Sequence, residues 1–100
     1  MSNYSFFFRS DMFFLDGVVI FDNVVEIYNC SLNYFDSFFV IKIDLSGVKI
    51  IDSSFFVLIL SWIKKINLCN KEIYFYNVPF YIINFSKIYD FELIFQFYLK

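Results

Sequence analysis

The longest apolar run in this chain is Phe55 to Leu60, or Phe55 to Ile63 if Ser61 is read through. Every other run is shorter and is broken by a charged or polar residue, a glycine or the proline. None approaches the ~20 apolar residues that a membrane-spanning helix needs. Yet 60% of the 100 residues are apolar and 26% are aromatic. The chain must therefore hide its apolar content by folding, as one domain over residues 1–100. A domain of this size hides only about 60–70% of the surface its unfolded chain exposes. Many Phe, Tyr and Ile side chains must stay outside. Codon bias is one source: Ala, Thr and His are absent and Arg9 is the single arginine, as in AT-rich bacterial genomes. A permanent partner covering an apolar patch is the other. The opening "MSNYSFFFRSD" lacks the basic start and small-residue cleavage site of a signal peptide. The expectation is a cytoplasmic chain with no direct membrane insertion, held at a membrane only through a partner.

Net charge is −2, and among the scattered lysines only Lys64 and Lys65 are adjacent. No basic stripe exists to neutralise phosphates, so no nucleic acid partner is expected. Cys30 and Cys69 lack CxxC spacing and read as two buried thiols in a reducing compartment. Without histidine the commonest general base and metal ligand is missing. Gly17 and Gly47, the only glycines, cannot build a phosphate cradle. Lys64 lies about three helical turns from Ser53, too far to activate it within one helix. Asp44 and Asp52 could suggest a carboxylate pair, but each stands at a strand end, where aspartate suits turns and helix starts. The chain reads as no enzyme, with no cofactor and no metal.

Patterning gives the elements. Ser5–Phe8 and Met12–Leu15 flank the turn chemistry of Arg9-Ser10-Asp11 and read as a hairpin. Val18–Phe21 could extend the second strand. Asp22 or Asn23 caps a helix to about Tyr34 or Phe35, with Val24, Ile27, Tyr28 and Leu32 at helical spacing. Phe38–Leu45 is a nearly continuous apolar run, the mark of a central strand covered on both sides. Ser46-Gly47 is a turn, and Val48–Ile51 leads to a second helix from Ser53 or Ser54 to about Asn67. At ~100° per residue Phe55, Ile59, Trp62, Ile63 and Ile66 share one face. Val57, Ser61, Lys64 and Lys65 share the opposite one. Glu72–Tyr76 is a strand. Asn77 is placed to cap and Pro79 fits the first turn of a third helix, which carries Val78, Ile82, Phe85 and Ile88 inward and ends near Asp90. "FELIFQFYL" could be helix or strand. The order is β-β-α-β-α-β-α, an α/β fold with a mixed sheet of four or five strands and helices packed against it.

Asp52-Ser53-Ser54 stands between strand and helix. The plain role for a serine there is an N-cap, a hydroxyl accepting a first-turn N–H, worth about 1 kcal/mol. A hydroxyl at a helix start is also well placed for a phosphate. Small residues there leave backbone open to another protein as well. Composition alone does not choose.

"DLSGVKIIDSSFFVLIL", Asp44 to Leu60, resembles the signature of STAS domains, roughly "DLSxVxxIDSSGLxxLL". Leu15 to Gly17 matches the "LxG" that closes the second strand of that family. "EIYFYNV", Glu72 to Val78, matches the strand and turn before its third helix. "INFSKIYDF", Ile83 to Phe91, is similar to the ending of the MlaB-type STAS subunits of phospholipid transporters. The match is gap-free from Ile43 to about Phe91 and weak over Val18 to Phe39. The resemblance implies an anti-sigma-factor-antagonist-like STAS fold with Ser53 at the switch position. In the antagonists that serine is phosphorylated. In the phospholipid-transport branch it meets an ABC ATPase. For this chain it implies a non-catalytic subunit bound to an ABC transporter ATPase (MlaF-like), in a complex with a permease (MlaE-like) and an MlaD-like protein. Ser53 would centre the contact, with Asp52 and Ser54 shaping the loop and Val57, Ser61 and Lys64 extending it. The alternative is an anti-sigma factor antagonist regulated by phosphorylation at Ser53. One departure stands out: the family usually has glycine where this chain has Phe55. A benzyl group there would crowd a partner reaching for Ser53, unless helix burial turns it inward.

Overall fold

A computed structural model describes residues 3–100. Met1 and Ser2, the start of the N-terminus read above for a signal peptide, lie outside the described residues. The chain opens as a hairpin, β1 (Tyr4–Arg9) and β2 (Met12–Val19), paired antiparallel from Tyr4↔Gly17 to Arg9↔Met12. Ser10 and Asp11 both take positive φ, 54° and 66°, the two-residue turn whose twist matches that of the strands. Along β2 the side chains alternate, with Phe13, Leu15 and Val19 buried.

The ladder on the other side of β2 is built from two separate strands. β3 (Val40–Asp44) runs parallel to its first half, with Phe13 opposite Ile43. The chain then leaves the sheet at Leu45-Ser46-Gly47 and returns as β4 (Val48–Ile51), parallel to its second half. Here the sequence reading is corrected: Val48–Ile51 is a strand and not only an approach to a helix. The reason lies in the glycines. The Gly17 amide donates to the Gly47 carbonyl at 2.8 Å, and Gly17 has φ +98°. A Cβ on Gly17 would collide with the Asn3 carbonyl oxygen, and one on Gly47 with the Asp16 side chain. Two backbones approach here with no room for side chains. β3 also pairs with β5 (Glu72–Tyr76) in parallel, giving the order β1-β2-β3-β5 with β4 beside β2. β3 is therefore interior, as its apolar run implied.

Helix α1 (Val24–Phe35) packs against α2 (Ser54–Leu68). All five residues assigned to the core face of α2 are buried, Phe55, Ile59 and Trp62 completely. Rings join the layers: Phe13 meets Phe35 at 5.4 Å, Phe35 meets Trp62 at 6.0 Å and Trp62 meets Phe75 at 6.4 Å. The buried indole N–H donates to the Ser31 hydroxyl at 2.7 Å, and Ser31 Oγ donates to the Tyr28 carbonyl. α2 ends in a Schellman turn, with Asn70 at φ 58° and the Lys71 amide donating to the Ile66 carbonyl. Cys69, in that turn, is exposed and Cys30 on α1 is half-buried, which corrects the reading of two buried thiols.

The third helix, α3 (Phe80–Ile88), departs from the reading in three ways. Pro79 stands just before its first residue, and Asn77 does not cap it; Asn77 Nδ2 donates instead to Asp44 Oδ2 at 2.7 Å. Of the four residues expected inward only Ile82 is fully buried, and Phe85 and Ile88 are exposed. The helix is too short to present a long face. Asp90 turns left-handed at φ 56°, the Phe91 amide bonds the Ser86 carbonyl, and Phe91 swings into the core in their place. The last segment is both helix and strand: α4 (Glu92–Gln96) is followed by a parallel bridge between Leu99 and Phe75. Among the described residues no helix is long and apolar enough to cross a membrane.

Candidate functional site

The site is built where β4 runs into α2. Asp52 closes the junction from both sides. Its Oδ1 accepts the Ser54 amide at 2.8 Å and its Oδ2 accepts the Phe21 amide at 3.0 Å. The first bond caps α2; the second ties on the loop between β2 and α1. Asn23 braces that loop, with Oδ1 accepting the Ile20 amide and Nδ2 donating to the Val18 carbonyl. Asn23 caps no helix through its side chain, so its bonds serve the loop alone.

Ser53 follows Asp52 with helical dihedrals and makes no side-chain cap bond. This corrects the expectation that a serine hydroxyl caps α2. Aspartate reaches the first-turn amide two residues on as an Asx turn, which leaves the Ser53 hydroxyl with no structural task at an exposed position. Ser54 is half-buried beneath it. Phe55 is completely buried, so the ring that replaces the usual glycine points into the core and away from Ser53.

Val57, Ser61 and Lys64 extend from Ser53 along one face of α2, as their spacing implied. Val57 is 62% exposed, Lys64 is exposed and Ser61 is half-buried, with its hydroxyl donating to the Val57 carbonyl at 2.8 Å. The fold adds what the sequence pattern could not bring in. Val24, Val25 and Tyr28 of α1 face Val57, Leu58 and Ser61 across a shallow furrow. The furrow continues past Tyr28 and Ser61 to Lys64, Lys65 and Leu68. Phe21, held by Asp52, and Val25 are 76% and 69% exposed. Only the pairing of α1 with α2 makes these residues neighbours, and no spacing within either helix signals it.

Asp44 and Asp52 each bind their own set of donors. Asp44 is occupied by the Ser46 hydroxyl and amide and by Asn77. Burial alone would raise its pKa; those donors outweigh it and hold the carboxyl below its ordinary value. Asp44 therefore locks the turn that separates β3 from β4.

Neither a family model nor a curated protein matches this chain. Solved structures do, and they define the fold. A mixed five-stranded sheet with helices packed against it, in the order β-β-α-β-β-α-β-α-α, is the STAS fold. The chain is similar to the anti-sigma factor antagonist SpoIIAA in its unphosphorylated form, with a TM-score of 0.70 over 97% of this chain and 85% of that one, at 12% identity. It is also similar to the Bacillus cell fate determinant SpoIIAA in the phosphorylated form, with a TM-score of 0.67 over 97% of this chain and 88% of that one, at 10% identity. At this identity the likeness establishes the fold.

Proposed function

We propose that this chain is a non-catalytic STAS subunit that binds and supports the ATPase of an ABC-type phospholipid transport complex. Its partner is an MlaF-like ATPase, assembled with an MlaE-like permease and an MlaD-like protein. Ser53 is the centre of the contact, Asp52 and Ser54 fix its backbone, and Val57, Ser61 and Lys64 extend the surface. The observation that carries this reading is the state of Ser53. Its hydroxyl is exposed and free of capping duty, beside apolar side chains that the fold leaves uncovered. A surface with that much apolar area suits a standing partner, and the motif resemblance over Ile83 to Phe91 supports the transport branch. The test is co-expression with an MlaF-like ABC ATPase from the same organism. A complex should form with the wild type and be lost with Ser53→Arg, whose side chain blocks close approach.

A second reading has its own support. The similar solved structures are of an anti-sigma factor antagonist in unphosphorylated and phosphorylated forms, and with Phe55 turned inward nothing on that side crowds the Ser53 hydroxyl. On this reading a kinase phosphorylates Ser53 and the new charge releases a partner. Intact-mass spectrometry of protein from its native cell separates the two. A stoichiometric phosphate on Ser53 favours the antagonist; its absence together with ATPase binding favours the transport subunit.

A further inference from the structure

We infer that the furrow between α1 and α2 receives an amphipathic helical segment of the partner protein, one that offers an apolar side chain at the Val25–Val57 end and carboxylates at the Lys64–Lys65 end. The inference rests on the reading that α2 is a docking face, and it gives that face a partner of definite chemistry. The furrow has two connected parts that share Tyr28 and Ser61. The apolar part holds about 140 Å³ between Val24, Val25, Val57 and Leu58. That is small for a cofactor or drug-sized ligand and suits one apolar side chain. The second part holds about 320 Å³ and is bordered by Lys64, Lys65 and Leu68.

Charge completes the description. The ion pairs among the described residues are Lys42–Asp11 and Lys87–Glu92, so Lys64 and Lys65 face the furrow unpaired. Glu26, the acid in the first turn of α1, is engaged by the Tyr4 hydroxyl at 2.8 Å. Two adjacent free cations at one end of an apolar furrow complement a segment that is apolar at one end and acidic at the other. Val57 lies seven and eight residues before the two lysines, roughly 10–12 Å along the axis. A helix laid beside α2 meets both ends when its apolar residue and its acid are about two turns apart. A flat lipid surface fits less well, because the apolar residues line a trough and only two lysines accompany them.

The test pans a phage-displayed library of random 16-residue peptides against the full chain, followed by anisotropy titration of the recovered peptides. Enriched peptides should pair an apolar residue with Asp or Glu about seven positions away. Lys64→Glu with Lys65→Glu should weaken them at least ~10-fold, as should Val57→Asp, whereas Lys64→Arg with Lys65→Arg should leave binding within about twofold. All three positions tolerate such changes because none is buried. Failure to enrich such peptides, indifference to the charge reversal, or charge-dependent capture by phosphatidylglycerol vesicles without peptide binding would each overturn the inference. Titration of the wild-type chain with an MlaF-like ABC ATPase separates it from the transport reading. Peptide binding by a wild-type chain that binds no ATPase supports the furrow and sinks the transporter; wild-type ATPase binding that ignores the lysine reversal sinks the furrow alone.

Discussion

At the scale of single residues, work expected of serine is done by aspartate and asparagine. Asp52 caps α2 and holds the Phe21 loop, so Asp52→Ala should cost about 1–2 kcal/mol. Ser53→Ala should change stability by less than about 0.5 kcal/mol, against the 1 kcal/mol expected of a capping serine. Denaturant unfolding of the two variants checks the order; a costlier Ser53→Ala would return the cap to serine. Asp44 makes a pH-dependent contribution. Its folded pKa is lowered, so its stabilisation is complete above the ordinary value of 3.8 and disappears as pH falls through the lower folded value. Asp44→Asn should lower stability at pH 7 and flatten the loss below about pH 4, followed as unfolding midpoints from pH 7 to pH 2. The left-handed positions tell of the same composition. With only two glycines available, Asn70 and Asp90 close the helices instead. Asn70→Gly should stabilise the chain by up to ~1 kcal/mol, read as a raised Tm.

At the scale of elements, the sequence revealed most where a period was long and unambiguous. Phe55, Ile59, Trp62, Ile63 and Ile66 were legible as one buried face because α2 runs fifteen residues. The hairpin was legible because Ser10 and Asp11 carry turn chemistry between two aromatic runs. β4 was not, since four residues alternate too briefly to show a period, and its pairing depends on two glycines thirty residues apart. Phe85 and Ile88 misled for the opposite reason: their spacing is helical, but α3 stops before it can use them. In the candidate site, Ser53, Val57, Ser61 and Lys64 could be found from one helix. Val24, Val25 and Tyr28 could not, because they join the site only when α1 packs on α2. That packing includes a polar bond the pattern also hid. Ser31 and Trp62 are both completely buried and bonded to each other. Ser31→Ala strands the indole N–H and should cost about 1–3 kcal/mol, measurable by chemical denaturation; Ser31→Thr, which keeps the hydroxyl, should recover part of it.

At the scale of the whole molecule, the apolar surplus is located. Phe21, Val25, Val57 and Leu68 stand exposed on or beside the α1–α2 furrow, while Phe80, Leu93 and Phe97 stand exposed on α3, α4 and the tail. The isolated chain should be poorly soluble and should gain solubility with the proposed ATPase partner, which sedimentation of the lysate with and without co-expression would report. A lone chain that is monomeric and highly soluble would show that this surface is not held for a partner. The proposed docking surface consists of a β4–α2 junction closed by Asp52, a helix face running on from it, and an exposed serine freed from structural duty. The most direct test of this account is the purification of wild-type and Ser53→Arg chains with an MlaF-like ABC ATPase from the same organism, with unfolding curves recorded on both. The account predicts a stable complex for the wild type, none for Ser53→Arg, and superimposable unfolding curves. An Ser53→Arg chain that still holds the ATPase, or a wild-type chain that never binds it and carries a phosphate on Ser53, would contradict it.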